Sequence, residues 1–279
     1  MTISVHDIAV CSWSLRPNGM QDLATKVRQL GLEHVQLMLL DLLQLDDKRK
    51  YEQLGHLRTS GIRFTGGMMS FPEEDYTTID AIHRTGGFLP DESWPLRKRL
   101  SIEGAKLARE LGMRLIGTHV GFVPPKADPK YGVMLGRVRE LAAAFGEQGI
   151  DLLMETGQER ADELFKFLHD LAAANVFINF DPANMILYGA GNPIDAIRTL
   201  GRFIHHVHVK DATASGKPGV EWGEEAPFGT GQVNPRLFLG ALRDAGYTGP
   251  LAIEREAGND RMGDVRIAIE SLRKATSEC

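Results

Sequence analysis

The chain has 279 residues, of which 43% are hydrophobic, 25% charged and 7% aromatic. That balance suits a globular fold and excludes collagen-like, coiled-coil and disordered chains. With 32 Lys and Arg against 37 Asp and Glu, the net charge is −5, and no basic run marks a nucleic-acid partner. The cysteines, Cys11 and Cys279, stand at opposite ends and build no disulfide framework. The opening Met-Thr-Ile-Ser-Val-His-Asp lacks the basic and apolar regions of a signal peptide. The longest apolar run, Leu37 to Leu45, is broken by Asp41 and too short to span a bilayer. A cytoplasmic protein without a membrane partner is expected.

Short apolar runs alternate with helix-like segments along the whole chain. Ile8–Trp13 reads as a strand and Met20–Leu30 as a helix; His34–Leu39 and Asp46–Thr59 repeat the pair. Ile62–Met69 is a third strand, followed by an irregular stretch and the helix Pro95–Leu111, with Ser93 as its expected cap and Pro95 in its first turn. Arg114–Val120 precedes Tyr131–Gln148, Ile150–Glu155 precedes Arg160–Ala174, and Val176–Asp181 precedes Pro193–Leu200. Phe203–Lys210 with Pro235–Ala245, then Leu251–Glu254 with Asp264–Ala275, complete the series. Glycines at 31, 61, 112, 149, 201 and 246 stand where C-caps belong. Near-continuous apolar strands suit a parallel sheet buried on both faces. Eight such units predict an α/β fold, a (β/α)8 TIM barrel forming one domain over 1–279. The alternative, an open doubly wound sheet, lacks its glycine-rich phosphate turn after the first strand.

Barrel enzymes build their sites at the C-terminal strand ends. Four consecutive strands end near a ligand-type side chain here: Glu155, Asp181, His208 and Glu254. Alternation places Asp151 and Leu153 on the face of Glu155, and His206 and Lys210 on that of His208. Three crowded carboxylates repel unless a cation joins them. Three oxygens and one nitrogen suit Mn²⁺, Mg²⁺ or Co²⁺, and Zn²⁺ less characteristically. Two long connections, Phe71–Trp94 and Asp211–Asn234, lie on the same face as expected lids, with Phe71 or Trp94 and Trp222 as covering aromatics.

The segments LLMETGQE, INFDPANMILYG, HHVHVKDA and LAIERE resemble the xylose isomerase-like TIM-barrel superfamily, and most closely its sugar phosphate isomerase/epimerase group. FGTGQV and GYTGPLAIE extend the resemblance over nearly the whole chain. It implies that Glu155, Asp181, His208 and Glu254 hold one divalent metal, Mn²⁺ first, as in ketose 3-epimerases. It also implies that Glu155 and Glu254 move the proton. Homodimers or homotetramers are common among such relatives. Three positions depart from the ketose 3-epimerase pattern: Asn184 replaces a histidine, Ala214 stands where an arginine is expected, and Gln36 replaces a glutamate. The metal set is kept while the substrate-reading set differs, which questions a free ketohexose more than the chemistry.

The chemistry follows from the residue types. Proton abstraction beside a carbonyl is slow unless the developing enediolate is stabilised, which a divalent ion on neighbouring substrate oxygens achieves. Each glutamate can give one oxygen to the metal and keep the other for a proton. Two glutamates flanking a planar intermediate let one face lose a proton and the other regain it. The expected activity is therefore a metal-dependent isomerase or epimerase acting on a carbohydrate or sugar phosphate. The alternative is a lyase of the keto-inositol dehydratase type. A phosphodiester hydrolase of the endonuclease type is disfavoured by the acidic charge and by Asn184.

Other residues carry two readings each. His119 is a substrate contact or general acid, or a structural histidine. Trp13 is a wall of the substrate site or plain core. Asn184 and Trp222 are expected to touch substrate. Lys210 neutralises an enediolate or a substrate phosphate, or pairs with Asp211 or another nearby acid. His206 supports His208 from the layer below. Glu159 belongs at the start of the following helix. Glu221, Glu224 and Glu225 are a second cation site or a solvated loop. Gly229-Thr-Gly231 leads to a helix N-terminus and offers a weak phosphate cradle.

Overall fold

A computed structural model describes residues 8–277 of the chain. Its strands are β1 (Ile8–Cys11), β2 (His34–Met38), β3 (Arg63–Met69), β4 (Leu115–Thr118), β5 (Asp151–Glu155), β6 (Val176–Phe180), β7 (Ile204–Val209), β8 (Asp211–Thr213), β9 (Glu224–Ala226) and β10 (Leu251–Ile253). β1 to β7 and β10 pair in parallel and close when β10 joins β1, so the open doubly wound alternative is excluded. β8 and β9 form a separate antiparallel pair. Cys279 and the first seven residues lie outside the described residues.

The surrounding helices are α1 (Met20–Gln29), α2 (Leu40–Leu43), α3 (Asp47–Thr59), α4 (Ile79–Thr85), α5 (Trp94–Glu110), α6 (Pro129–Gly146), α7 (Ala161–Leu171), α8 (Pro182–Leu187), α9 (Pro193–Leu200), α10 (Pro235–Asp244) and α11 (Arg261–Ser277). Proline opens α6, α8, α9 and α10, where a missing N–H costs nothing. Five of the expected C-cap glycines, at 31, 61, 112, 149 and 246, have φ between +67° and +77°. Gly201 differs. It stays helical at φ −46°, and a Cβ there would meet the Ala245 Cβ at 2.7 Å. Close packing beside α10, rather than a left-handed turn, therefore requires glycine at 201. Ser93 is a second correction. It caps no amide of α5; its hydroxyl donates to Glu73 instead.

The large apolar core lies between strands and helices. Val35, Ile116, Leu152, Met154, Val207 and Val209 belong to it. The barrel lumen is different: a small cluster of Ala9, Cys11 and Ala252 sits beside buried Gln36, Asn179, His206 and His208. Strand alternation sorts these sets, since successive side chains point to opposite faces. No described helix is long and apolar enough to cross a membrane.

The two long connections contain structure that hydrophobic periodicity missed. The first holds α4, capped by the Thr78 side chain. The second holds the β8–β9 pair. A further short helix, α8, begins directly after β6.

Candidate functional site

At the C-terminal end of the barrel, Glu155 ends β5, Asp181 follows β6, His208 lies on β7 and Glu254 follows β10. One ligand atom from each falls within 4.8 Å of all the others. His208 Nδ1 stands 3.1 Å from Glu155 Oε1, 3.3 Å from Glu254 Oε2 and 3.5 Å from Asp181 Oδ2. Local structure holds each carboxylate by one oxygen. Asp181 Oδ1 accepts the amides of Ala183 and Asn184 and so caps α8. Glu155 Oε1 accepts the Asn184 side-chain amide at 3.1 Å, and Glu254 Oε1 accepts the Trp13 indole N–H at 2.8 Å. The Thr156 hydroxyl ties the end of β5 to Asp181.

The other oxygens are left over. Glu155 Oε2, Asp181 Oδ2 and Glu254 Oε2 are buried without a hydrogen-bond partner. A buried acceptor left unmade costs about 1–3 kcal/mol; Asp181 Oδ2 and Glu254 Oε2 have only the nearby charges of His208 and Lys210, and Glu155 Oε2 faces His119 at 3.4 Å. A divalent cation fits this set: three hard oxygens and one imidazole nitrogen.

The charges respond to one another. Burial pushes the Asp181 carboxyl up to about 6. Burial also opposes ionisation of Glu254, but the neighbouring Lys210 and His208 cations outweigh it and hold that carboxyl well below its usual range. His208 is likewise opposed by burial and raised well above an ordinary imidazole by Glu254 and the other acids. His206 lies a layer deeper between Asn179 and Thr65, and burial drives it down to about 3.

A cavity of about 660 Å³ opens above the cluster. Trp13, His119, Asn184, Lys210 and Trp222 all line it, together with the four-residue cluster's Glu155 and Glu254. His119 Nε2 is 3.4 Å from Glu155 Oε2. Lys210 Nζ lies 2.8 Å from Glu254 Oε2, off the hydrogen-bonding direction, and 2.6 Å from Glu256. Its partners are thus Glu254, Glu256 and Asp181, not Asp211. Gly157, at φ +147°, brings the turn after β5 against α8; a Cβ there would meet Asn184 Cβ at 2.6 Å.

Several expectations change at the rim. Phe71 and Trp94 both pack on Phe88, away from the cavity. Tyr76 takes the covering position instead, and the Trp222 indole donates to its carbonyl at 3.1 Å. The two long connections therefore meet over the site. Glu159 does not serve the start of α7: it is buried, accepts the Val123 amide at 2.8 Å and is pushed by burial up to about 7. The acidic trio is dispersed, with Glu221 paired to Lys217 and Glu225 to Arg255. The amides of Gly229 and Gly231 already donate to Asp211, so they offer no phosphate cradle. Tyr76, Tyr188 and Glu256 were not expected at the site. Gln36 was singled out as a departure from the ketose 3-epimerase pattern, and its contact with His208 was not expected.

This arrangement defines a (β/α)8 barrel whose C-terminal mouth carries a carboxylate and imidazole cluster suited to a divalent ion. The chain belongs to the xylose isomerase-like TIM barrel family, whose model matches residues 24–275. A xylose isomerase domain protein from Planctomyces limnophilus is 32% identical, with a TM-score of 0.87 over 98% of both chains. The probable 3-DHS dehydratase AsbF of Bacillus anthracis is 17% identical, with a TM-score of 0.71 over 96% of this chain and 98% of its own. An L-ribulose 3-epimerase is 17% identical, with a TM-score of 0.70 over 97% and 96%. At such identities the last two show a shared fold. A sequence search of curated proteins returned no match.

Proposed function

We propose that the protein is a divalent-metal-dependent carbohydrate isomerase or epimerase in which Glu155 and Glu254 move a proton at the carbon beside a carbonyl. The observation that carries this reading is the pair of glutamates, each anchored by one oxygen and unsatisfied at the other, at the floor of a substrate-sized cavity. Glu155, Asp181, His208 and Glu254 would hold the ion, Mn²⁺ before Mg²⁺, Co²⁺ or Zn²⁺. When bound it supplies Lewis-acid stabilisation of the charge that develops on substrate oxygen.

The protein's own groups do the rest. One glutamate accepts the proton from one face of the substrate carbon, and its counterpart returns a proton to the opposite face. Asn184 and the Trp13 indole fix the two carboxylates so that neither turns away when it gains a proton. Lys210 offsets negative charge at the floor of the cavity. Tyr76 and Trp222 cover the mouth and exclude water.

Charge around the cavity favours an unphosphorylated substrate. Among the described lining residues Lys210 is the one permanent cation, and Glu254 and Glu256 already engage it. Glu225 is likewise paired with Arg255, so the described lining residues offer a phosphate dianion no cation that is not already engaged. A neutral polyhydroxy ketone suits the site better.

One observation favours a second reading, water elimination. His119 beside Glu155 is a further proton carrier, able to protonate a departing hydroxyl. Incubating the Mn²⁺-loaded protein with unphosphorylated ketoses and keto-inositols in deuterated water separates the readings. Deuterium at one retained carbon without mass loss is the expected result. Loss of water identifies the lyase, and the absence of both across the panel removes the proposal.

A further inference from the structure

His208 is held from both edges of its ring. Nδ1 faces the three carboxylates, while Nε2 lies 2.6 Å from Gln36 Oε1. An amide oxygen only accepts, so Nε2 carries the proton in that contact. Gln36 is itself oriented: Cys11 Sγ donates to its oxygen at 3.4 Å, and its amide nitrogen points to the Gly67 carbonyl at 3.5 Å. A flipped amide would set N–H groups against two donors. Asn179 also approaches Nε2, at 3.0 Å, but with its nitrogen; its oxygen is engaged by His206. Gln36 therefore holds the acceptor that His208 uses. Both side chains are sealed from solvent, at 1% and 0% exposure, so no water replaces it.

We propose that Gln36 is a positioning residue for the ion: it holds the His208 Nε2–H and sets the ring angle, and thereby turns Nδ1 toward the three carboxylates. An imidazole whose far nitrogen is tied to an acceptor is a better ligand than a free one, because its tautomer and ring angle are already set. The neutral amide also limits the charge beneath the site, so the ion meets three carboxylates and no fourth. A glutamate at 36 would keep the acceptor and add negative charge. The inference rests on the reading that the four side chains bind a divalent ion.

The test uses the full chain and binding of the metal alone. Mn²⁺ and Zn²⁺ are titrated calorimetrically into the wild type, Gln36→Met and Gln36→Glu, with circular dichroism as the check on folding. Gln36→Met is expected to bind about 10- to 100-fold more weakly, and Gln36→Glu at least as tightly as the wild type. In Zn²⁺-loaded protein with ¹⁵N-labelled histidine, a slowly exchanging Nε2–H of His208 is expected in the wild type and lost in Gln36→Met. A folded Gln36→Met with wild-type affinity and an unchanged Nε2–H overturns the role of Gln36. If Gln36→Met does not fold, Gln36→Glu decides: equal or tighter binding supports the role, and a tenfold loss (about 1.4 kcal/mol) refutes it. A wild type that binds neither ion removes the metal reading itself, a distinguishable outcome.

Discussion

Two groups of buried carboxylates lie close together in this barrel, and their hydrogen bonds differ completely. Asp211, at the start of the β8–β9 pair, is saturated. Its Oδ1 accepts the amides of Ala212 and Val233, both at 2.8 Å, and its Oδ2 accepts those of Gly229 and Gly231. Glu155, Asp181 and Glu254 each have one oxygen engaged and one unsatisfied. The same chemical group does two jobs. A carboxylate whose acceptors are all used folds a loop, whereas acceptors left over in a buried cleft can take a ligand. Burial alone would not separate them, since Asp181 and Asp211 are both 0% exposed.

The largest effect expected from this difference is on turnover. Glu155→Gln and Glu254→Gln keep the shape and the anchored oxygen but remove the proton carrier, so each should lower the rate by about 10²–10⁴-fold. Deuterium incorporation measures it, and parental rates in both variants would break the comparison. Asp211→Ala should act on the fold instead. It strands four amide donors, and a loss of roughly 3–5 kcal/mol in chemical denaturation is expected. Mn²⁺ affinity of the remaining folded protein should stay near the parental value, which titration checks.

Glu159 lies between these extremes, buried with the one Val123 amide as its protein donor among the bonds described above. Burial lifts its carboxyl from the ordinary glutamate value of about 4.5 to about 7 in the folded protein. Its ionisation is therefore harder in the folded state, so its protonated form adds stability that is intact below about 4.5 and lost as pH rises through about 7. Glu159→Gln keeps an oxygen for Val123 and removes the titration. It should raise stability at pH 8 by about 1–3 kcal/mol and leave pH 4 nearly unchanged. Equal gains at both pH values would show that burial is not what sets this group.

Much of this was legible in the sequence. Apolar runs ended by ligand-type residues at 155, 181, 208 and 254 place those residues on one rim once the strands are parallel. The alternation of β7 put Val207 and Val209 outward and His206 and His208 inward, as two-residue periodicity requires. The misses share a cause. α4 and α8 are too short for a helical period to emerge, and α8 is set by the cap from Asp181 rather than by its own pattern. Phe71 and Trp94 are as aromatic as Tyr76, and only the path of the loop selects which one covers the cavity.

The sequence by itself determined the (β/α)8 architecture and the kinds of side chain at its C-terminal mouth, because both follow from local periodicity and strand order. Tertiary structure decided how each of those side chains is used. Which oxygen of Asp181 caps a helix, which nitrogen of His208 meets Gln36, and why Asp211 is saturated all depend on contacts between residues far apart in the chain. The distance from Gln36 to His208 is 172 residues in sequence and 2.6 Å in space, and no local pattern encodes a hydrogen bond of that span.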